Sequence, residues 1–230
     1  MSNQFSEMSA SKTWNVLVRA AVCALKEQGL SPSRLPGRGR SNIWEIEEEG
    51  RSKKVSIRTT KDRWFAFPPL KNGTEWKTLD KVEIVVVAAV DDREDPRSVE
   101  VYRFDANEVR ERFKASYEAR IAAGHIVIED FGMWVNLDVD NREIPASVGA
   151  GLASEHAPIA VYPLEDVFEE SGAETIEAAA GDEEEGDDES GSFSPSPDTI
   201  ADVMEWARKR IATLSGMRLE AVRLDCRLEK

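Results

Sequence analysis

The chain has 230 residues, 44 of them acidic and 30 basic, for a formal charge of -14. The surplus is local: Val161–Asp198 holds 14 acidic residues and no Lys or Arg, which leaves 30 acidic against 30 basic elsewhere. A 41% apolar content excludes wholesale disorder, and two cysteines near opposite ends exclude a disulfide scaffold or a Cys-rich zinc site.

The start MSNQFSEMSASKTW lacks an apolar core, so no signal peptide is expected. The longest apolar run, Ile84–Val90, is far short of the ~20 residues a membrane helix needs. These features predict a protein of a reducing, cytoplasmic setting with no membrane partner.

Residues 1–12 read as a polar, disordered start. Thr13 is placed to cap a helix whose stripe is Trp14, Leu17, Val18, Ala21 and Leu25, with Gly29 as its stop signal. A Pro/Gly loop follows, carrying Arg34, Arg38 and Arg40 and no acid. The period then switches to two. Residues 42–48 and 54–59 form two strands joined at Glu49-Gly50, and 63–67 (RWFAF) is an aromatic strand. The β-branched run 82–90 predicts a strand buried on both faces. Residues 98–104 form the next strand, and Asp105 or Asn107 caps a helix reaching Ala123, with Val109, Phe113, Tyr117 and Ile121 along it and Gly124 closing it. Residues 126–128 and 133–137 read as a hairpin, and 159–162 as a last short strand.

From 164 to 197 the apolar content falls and an acidic disordered linker is expected. Residues 198–230 form a helix–strand module. Its helix carries Ile200, Val203, Met204, Ala207, Ile211 and Leu214, and its strand alternates Val222, Leu224, Cys226 and Leu228 with polar residues. Such a module cannot bury both apolar faces alone, so it is expected to dock on the main domain, on a protein partner or on a second copy. The predicted class is α/β (α+β): a mixed central sheet flanked by helices over residues 13–163.

Trp44–Gly124 runs strand, strand, aromatic strand, buried strand, strand, helix, through VSIRTTKDRWFAF (55–67), LDKVEIVVVAAVDD (79–92) and SVEVYRFDANEVRERF (98–113). This resembles the PD-(D/E)XK, restriction-endonuclease-like nuclease core. The resemblance covers about a third of the chain and implies a setting in bacterial defence, mobile elements or DNA processing. In that family an acid-x-Lys pair on one strand, with an acid on the strand before it, holds Mg²⁺ and polarises water. Here the acid-x-Lys position reads Ser56-Ile57-Arg58. Glu45 or Glu47 stands in for the upstream acid and Glu27 for a third ligand. The resemblance therefore implies a degenerate member, non-catalytic and without a cofactor. The alternative is an active Mg²⁺-dependent endonuclease using Glu47 and Arg58 as catalytic groups, with Glu27, Glu45 and Glu47 on the metal.

A second reading of the same stretch concerns polyanions. Arg38, Arg40, Arg51, Lys53, Lys54, Arg58, Lys61 and Arg63 lie close together, with Trp64 among them. Guanidinium forks match phosphates and aromatic rings stack on bases. The plain alternative is an amphipathic hairpin with solvated charges, diluted by Glu45, Glu47, Glu48 and Glu49. The expected function is a nucleic-acid-associated protein, with a pure protein–protein adaptor or inhibitor as the rival. The acidic stretch is either a solubilising linker or a competitor for the basic surface. Asp130-Phe131-Gly132 lacks the other kinase motifs, the Walker B-like run 84–91 lacks a P-loop, and His125, His156, Ser147 and Cys23 have no partner at identifiable spacing.

Overall fold

The computed structural model describes residues 10–35, 43–138 and 144–169, together with Arg208 and Arg223. The chain divides into two units, Met1–Ser192 and Phe193–Lys230. The fold below is that of the first. In the second, Arg208 is helical and Arg223 lies outside regular structure, so the expected helix–strand module falls outside the described residues, as do the start 1–9 and the acidic stretch from 170.

Helix α1 spans Ala10–Glu27. It begins three residues before the expected cap, and Thr13 is buried within it rather than capping it. A broad face of Val16, Leu17, Val18, Ala20, Ala21, Val22, Ala24 and Leu25 is buried, the stripe a core-facing helix requires. It ends as its sequence predicts. Gly29 takes φ +77°, its N–H bonds Lys26 O, and the N–H of Leu30 reaches back to Leu25 O at 3.1 Å.

Strands β1 (Ser33–Arg34), β2 (Ile43–Glu48) and β3 (Arg51–Thr60) follow. Glu49 and Gly50 both have positive φ, the geometry that lets a two-residue turn match strand twist. The turn sets the register Glu48↔Arg51 through Ile43↔Ser56. β4 (Trp64–Phe67), β5 (Pro69–Leu70), β6 (Glu75–Trp76) and a 3-10 turn at Leu79–Lys81 then lead to β7 (Ile84–Val90). β7 runs parallel to β3 and antiparallel to β8 (Ser98–Asp105). All seven residues of β7 are buried, which is why its sequence is continuously apolar.

Helix α2 (Ala106–Ala122) is capped by Asp105, whose carboxylate accepts from the Asn107 N–H. The chain continues through β9 (Met133–Asn136), a 3-10 turn at Pro145–Ser147, α3 (Leu152–Glu155), β10 (Ala160–Pro163) and α4 (Leu164–Glu169). The result is a mixed six-stranded sheet, β1-β2-β3-β7-β8-β10, with flanking helices. Among the described residues no helix is long and apolar enough to cross a membrane.

Two further expectations are corrected. Residues 126–128 form no strand, and β9 pairs instead with β4, in register Trp64↔Asn136 to Phe67↔Met133. That pairing puts Phe65, Phe67, Met133 and Val135 on one buried face, whereas 126–128 offers the core only Val127. Residues 164–169 are helical rather than linker, because Leu164 and Val167 are buried with the residues of α1.

Candidate functional site

Alternation along β2 and β3 decides where each candidate points. Trp44, Ile46, Val55 and Ile57 face α1. Glu45, Glu47, Lys54, Ser56 and Arg58 fall on the other face by the two-residue period of a strand. Arg58 is buried there, its guanidinium 4.3 Å from the Phe67 ring centroid, a cation–π contact inside the domain. Ser56 beside it is fully buried and pairs across to Ile43, so no acid stands opposite.

Glu45 pairs across to Lys54, four residues before Arg58, and its carboxylate accepts from the Ser52 hydroxyl. At ~3.3 Å per residue that is about 13 Å along the strand. Glu47 is exposed and pairs with Ser52, about 20 Å from Arg58 by the same measure. Glu27 ends α1 on the opposite side of the sheet. Mg²⁺ holds its oxygens at roughly 2.0–2.1 Å, so Glu27, Glu45, Glu47 and Arg58 do not form one centre.

The other cationic candidates differ in what surrounds them. Arg51 and Lys54 are exposed on the hairpin. Lys53 is bonded: its ammonium lies 2.7 Å from Glu48, whose carboxylate also takes both bonds from Arg103 Nη2, at 2.7 and 2.8 Å. Lys53 and Arg103 hold the Glu48 carboxyl below the usual range. Arg38 and Arg40 lie outside the described residues.

Lys61, Arg63 and Trp64 sit where β3 leads into the ribbon. Burial pushes the Lys61 amine down, and Trp64 is half-buried. Arg63, at φ +63°, uses all five of its donors inside the protein. Nε and Nη2 grip Asp138 at 2.5 and 2.7 Å, Nη1 bonds Val90 O at 2.9 Å and Glu100 at 2.8 Å, and Nη2 also reaches the Tyr102 hydroxyl at 3.2 Å. Burial opposes the charge, but the bonds to Asp138, Tyr102 and Glu100 prevail and raise its pKa. Tyr102 is pushed up to about 12 by burial and by its 2.6 Å bond to Glu100. Arg63 thus ties β4 and the end of β9 to β7 and β8. Nothing local to the sequence marks Asp138 as its partner; the i, i+2 pair Glu100/Tyr102 on one strand face was the available signal.

Two further polar groupings went unread in the sequence. A cleft of about 470 Å³ lies at the start of β7 and α2, lined by Lys53, Glu83, Arg103, Asp105, Asn107 and Arg110 among others. Its cations are engaged: Arg110 bonds Asp80, Asn107 and the carbonyls of Leu79 and Val82. Among the described residues, Glu108, Glu155 and His156 are the one group of three metal-ligating side chains with close donor atoms. His156 Nε2 is 2.9 Å from Glu108, but Arg112 already lies 2.5 Å from Glu155 and 3.8 Å from Glu108, and its guanidinium holds the Glu155 carboxyl low. The grouping is an ion-pair network that ties α3 to α2. None of the nuclease-type carboxylates belongs to it.

No protein-family model, curated protein or solved structure matches the chain.

Proposed function

We propose that this chain acts by binding and not by catalysis, as a nucleic-acid-associated protein on a core that resembles the restriction-endonuclease-like one. One observation carries the reading: the residues that would make a metal-dependent nuclease are held apart, and Arg58, at the family's lysine position, is buried against Phe67. Arg63 and Lys53 serve the fold, whereas Arg51 and Lys54, on the same hairpin, are exposed and within reach of a phosphate. The acid-free stretch with Arg38 and Arg40 precedes their hairpin in sequence. No metal cofactor is required.

The test is titration of labelled DNA and RNA with the full chain at about 50 and about 200 mM salt, with and without Mg²⁺. Steeply salt-dependent binding without cleavage is expected, and Arg51→Glu with Lys54→Glu should weaken it about tenfold, on the order of 1.4 kcal/mol. Mg²⁺-dependent cleavage that Glu47→Ala abolishes would restore the endonuclease. Absence of binding, even after removal of 170–197, would leave the adaptor reading. That deletion must spare Leu164 and Val167, which belong to the core.

A further inference from the structure

Lys71, Asn72 and Gly73 take positive φ in succession, at 48°, 56° and 76°. They turn the chain from β5 into β6, and the Gly73 N–H closes the turn on Leu70 O at 3.0 Å. Left-handed backbone suits glycine and is tolerated by asparagine better than by most residues. Asn72 is exposed, and its carboxamide holds no hydrogen bond to the described residues. The ribbon beneath the turn is slight: Pro69↔Trp76 and Leu70↔Glu75 are its whole register. Two strands of two residues open locally at little cost, and opening frees the Gly73 nitrogen.

The other described asparagines stand in regular structure. Asn15 lies within α1 and is followed by Val16. Asn107 opens α2 ahead of Glu108, and its Oδ1 accepts from Arg110 at 2.6 Å. Asn136 ends β9 ahead of Leu137, and its Oδ1 accepts from the Asp138 N–H at 2.8 Å. Among them Asn72 alone precedes a glycine, the residue with no side chain to screen its own backbone nitrogen. That glycine is also pressed onto a ring. A Cβ on Gly73 would lie 2.6 Å from carbons of Tyr117. Tyr117 meets Trp76 edge-on with centroids 6.3 Å apart, and Trp76 meets Phe113 at 5.4 Å. The turn therefore rests on the aromatic packing under α2.

We propose that Asn72-Gly73 is a modification site, at which the chain converts itself through a succinimide, and that conversion loosens the aromatic packing beneath it. The Gly73 nitrogen, giving up its proton, attacks Cγ of Asn72. The N–Cγ bond forms, the Cγ–Nδ2 bond breaks, and Nδ2 leaves as ammonia with that proton. Water then opens the ring. Addition at Cγ gives an aspartate. Addition at the main-chain carbonyl gives an isoaspartate, whose backbone runs through Cβ and Cγ and is one carbon longer. No oxidant or cofactor is consumed. The lengthened chain does not keep both the Leu70–Gly73 closure and the seat of Gly73 on Tyr117. The site needs no ligand, so it stands apart from the nucleic-acid reading.

Peptide mapping by mass spectrometry reads the conversion, on the full chain held folded in mildly alkaline heavy-oxygen water. Heavy oxygen should enter at position 72 at least about tenfold faster than at Asn15, Asn107 or Asn136. Asn72→Gln should abolish it, because glutamine must close a larger and slower ring. Hydrogen exchange across 73–77 and 113–117 should quicken in aged wild type relative to fresh protein, and not in Asn72→Gln aged alike. Asn72→Asp, measured fresh, carries the new charge without the extra carbon and should keep the fresh wild-type pattern. Conversion at 72 no faster than at the other three asparagines would overturn the site. Conversion that leaves exchange at 73–77 and 113–117 unchanged would overturn the loosening. So would a fresh Asn72→Asp as loose as the aged wild type, since charge alone would then be the cause.

Discussion

The two faces of the sheet are closed by different means. On one, a single amphipathic helix lays eight buried residues on the aliphatic rows of β2, β3, β7 and β8, with α4 completing the cover. On the other, α2 covers only part of the area, and the β4–β9 ribbon and α3 must fill the rest. Phe113 is the centre of that face, edge-on to Phe65, Phe67 and Trp76 with centroids 5.3–5.4 Å apart. A face closed by one helix needs only a stripe of the right period. A face assembled from pieces needs polar clamps to fix each piece, and Arg63, Arg110, Arg112 and Arg120 are those clamps. Of the arginines that look like phosphate ligands in the sequence, Arg63 is a fastener of the patchwork face and Arg58 is buried in it against Phe67.

The largest expected effect probes the aromatic centre. Phe113→Ala should lower stability by about 3–5 kcal/mol, read from urea unfolding. Leu25→Ala on the α1 face should fall within about 2–5 kcal/mol, but its loosening should spread along one helix, whereas Phe113→Ala should release β4 and β9 first. Equal exchange protection of the ribbon in the two variants would break the contrast.

Arg63→Met comes next. It leaves Asp138 and Glu100 without their shared cation, and removing one partner of a buried pair costs several kcal/mol. With Asp138 37% exposed, about 2–4 kcal/mol is expected. Arg63→Lys should not rescue it, since an ammonium cannot fork onto Asp138 while reaching Val90 O and Glu100. Hydrogen exchange should quicken across 64–67 and 133–138 and leave α1 unchanged; loosening of α1 to the same degree would sink the fastener reading.

The smallest effect sharpens the comparison on the α1 side, where Glu48 bridges β2 to β3 and β8. Glu48→Gln should cost about 1 kcal/mol at neutral pH, as a partly exposed ion-pair network does. Lys53 and Arg103 lower the folded pKa of Glu48 from its ordinary value of 4.5. On acidification the unfolded chain therefore takes up the proton first. The contribution is complete above the ordinary value and is lost as pH falls through the lower folded one. The difference between wild type and Glu48→Gln should shrink across that window, and a constant difference would remove Glu48 from the account.

Much of the main sheet was legible. β7 announced itself because a strand buried on both faces has no polar position to interrupt it. The β2–β3 turn was legible because Glu49-Gly50 suits two positive φ values, and the start of α2 because Asp105 can bond the Asn107 N–H. The start of α1 was not, since Thr13 reads equally well as a cap or as a buried helical residue. The candidate site was less legible still. Guanidinium groups at 51–63 look alike in sequence, and only their distant partners distinguish an exposed Arg51 from a saturated Arg63.

The sequence by itself determined the long helices and the strands of the central sheet, their order, the burial of the central strand and the confinement of the charge surplus to one stretch. These follow from local period, turn chemistry and composition, which act over a few residues. The tertiary structure decided that β9 pairs with β4, that Glu27, Glu45 and Glu47 stay apart from Arg58, and that Arg63 fastens where it might have bound a ligand. Each of those depends on which side chains meet across tens of residues, and such meetings are set by the packing of whole faces.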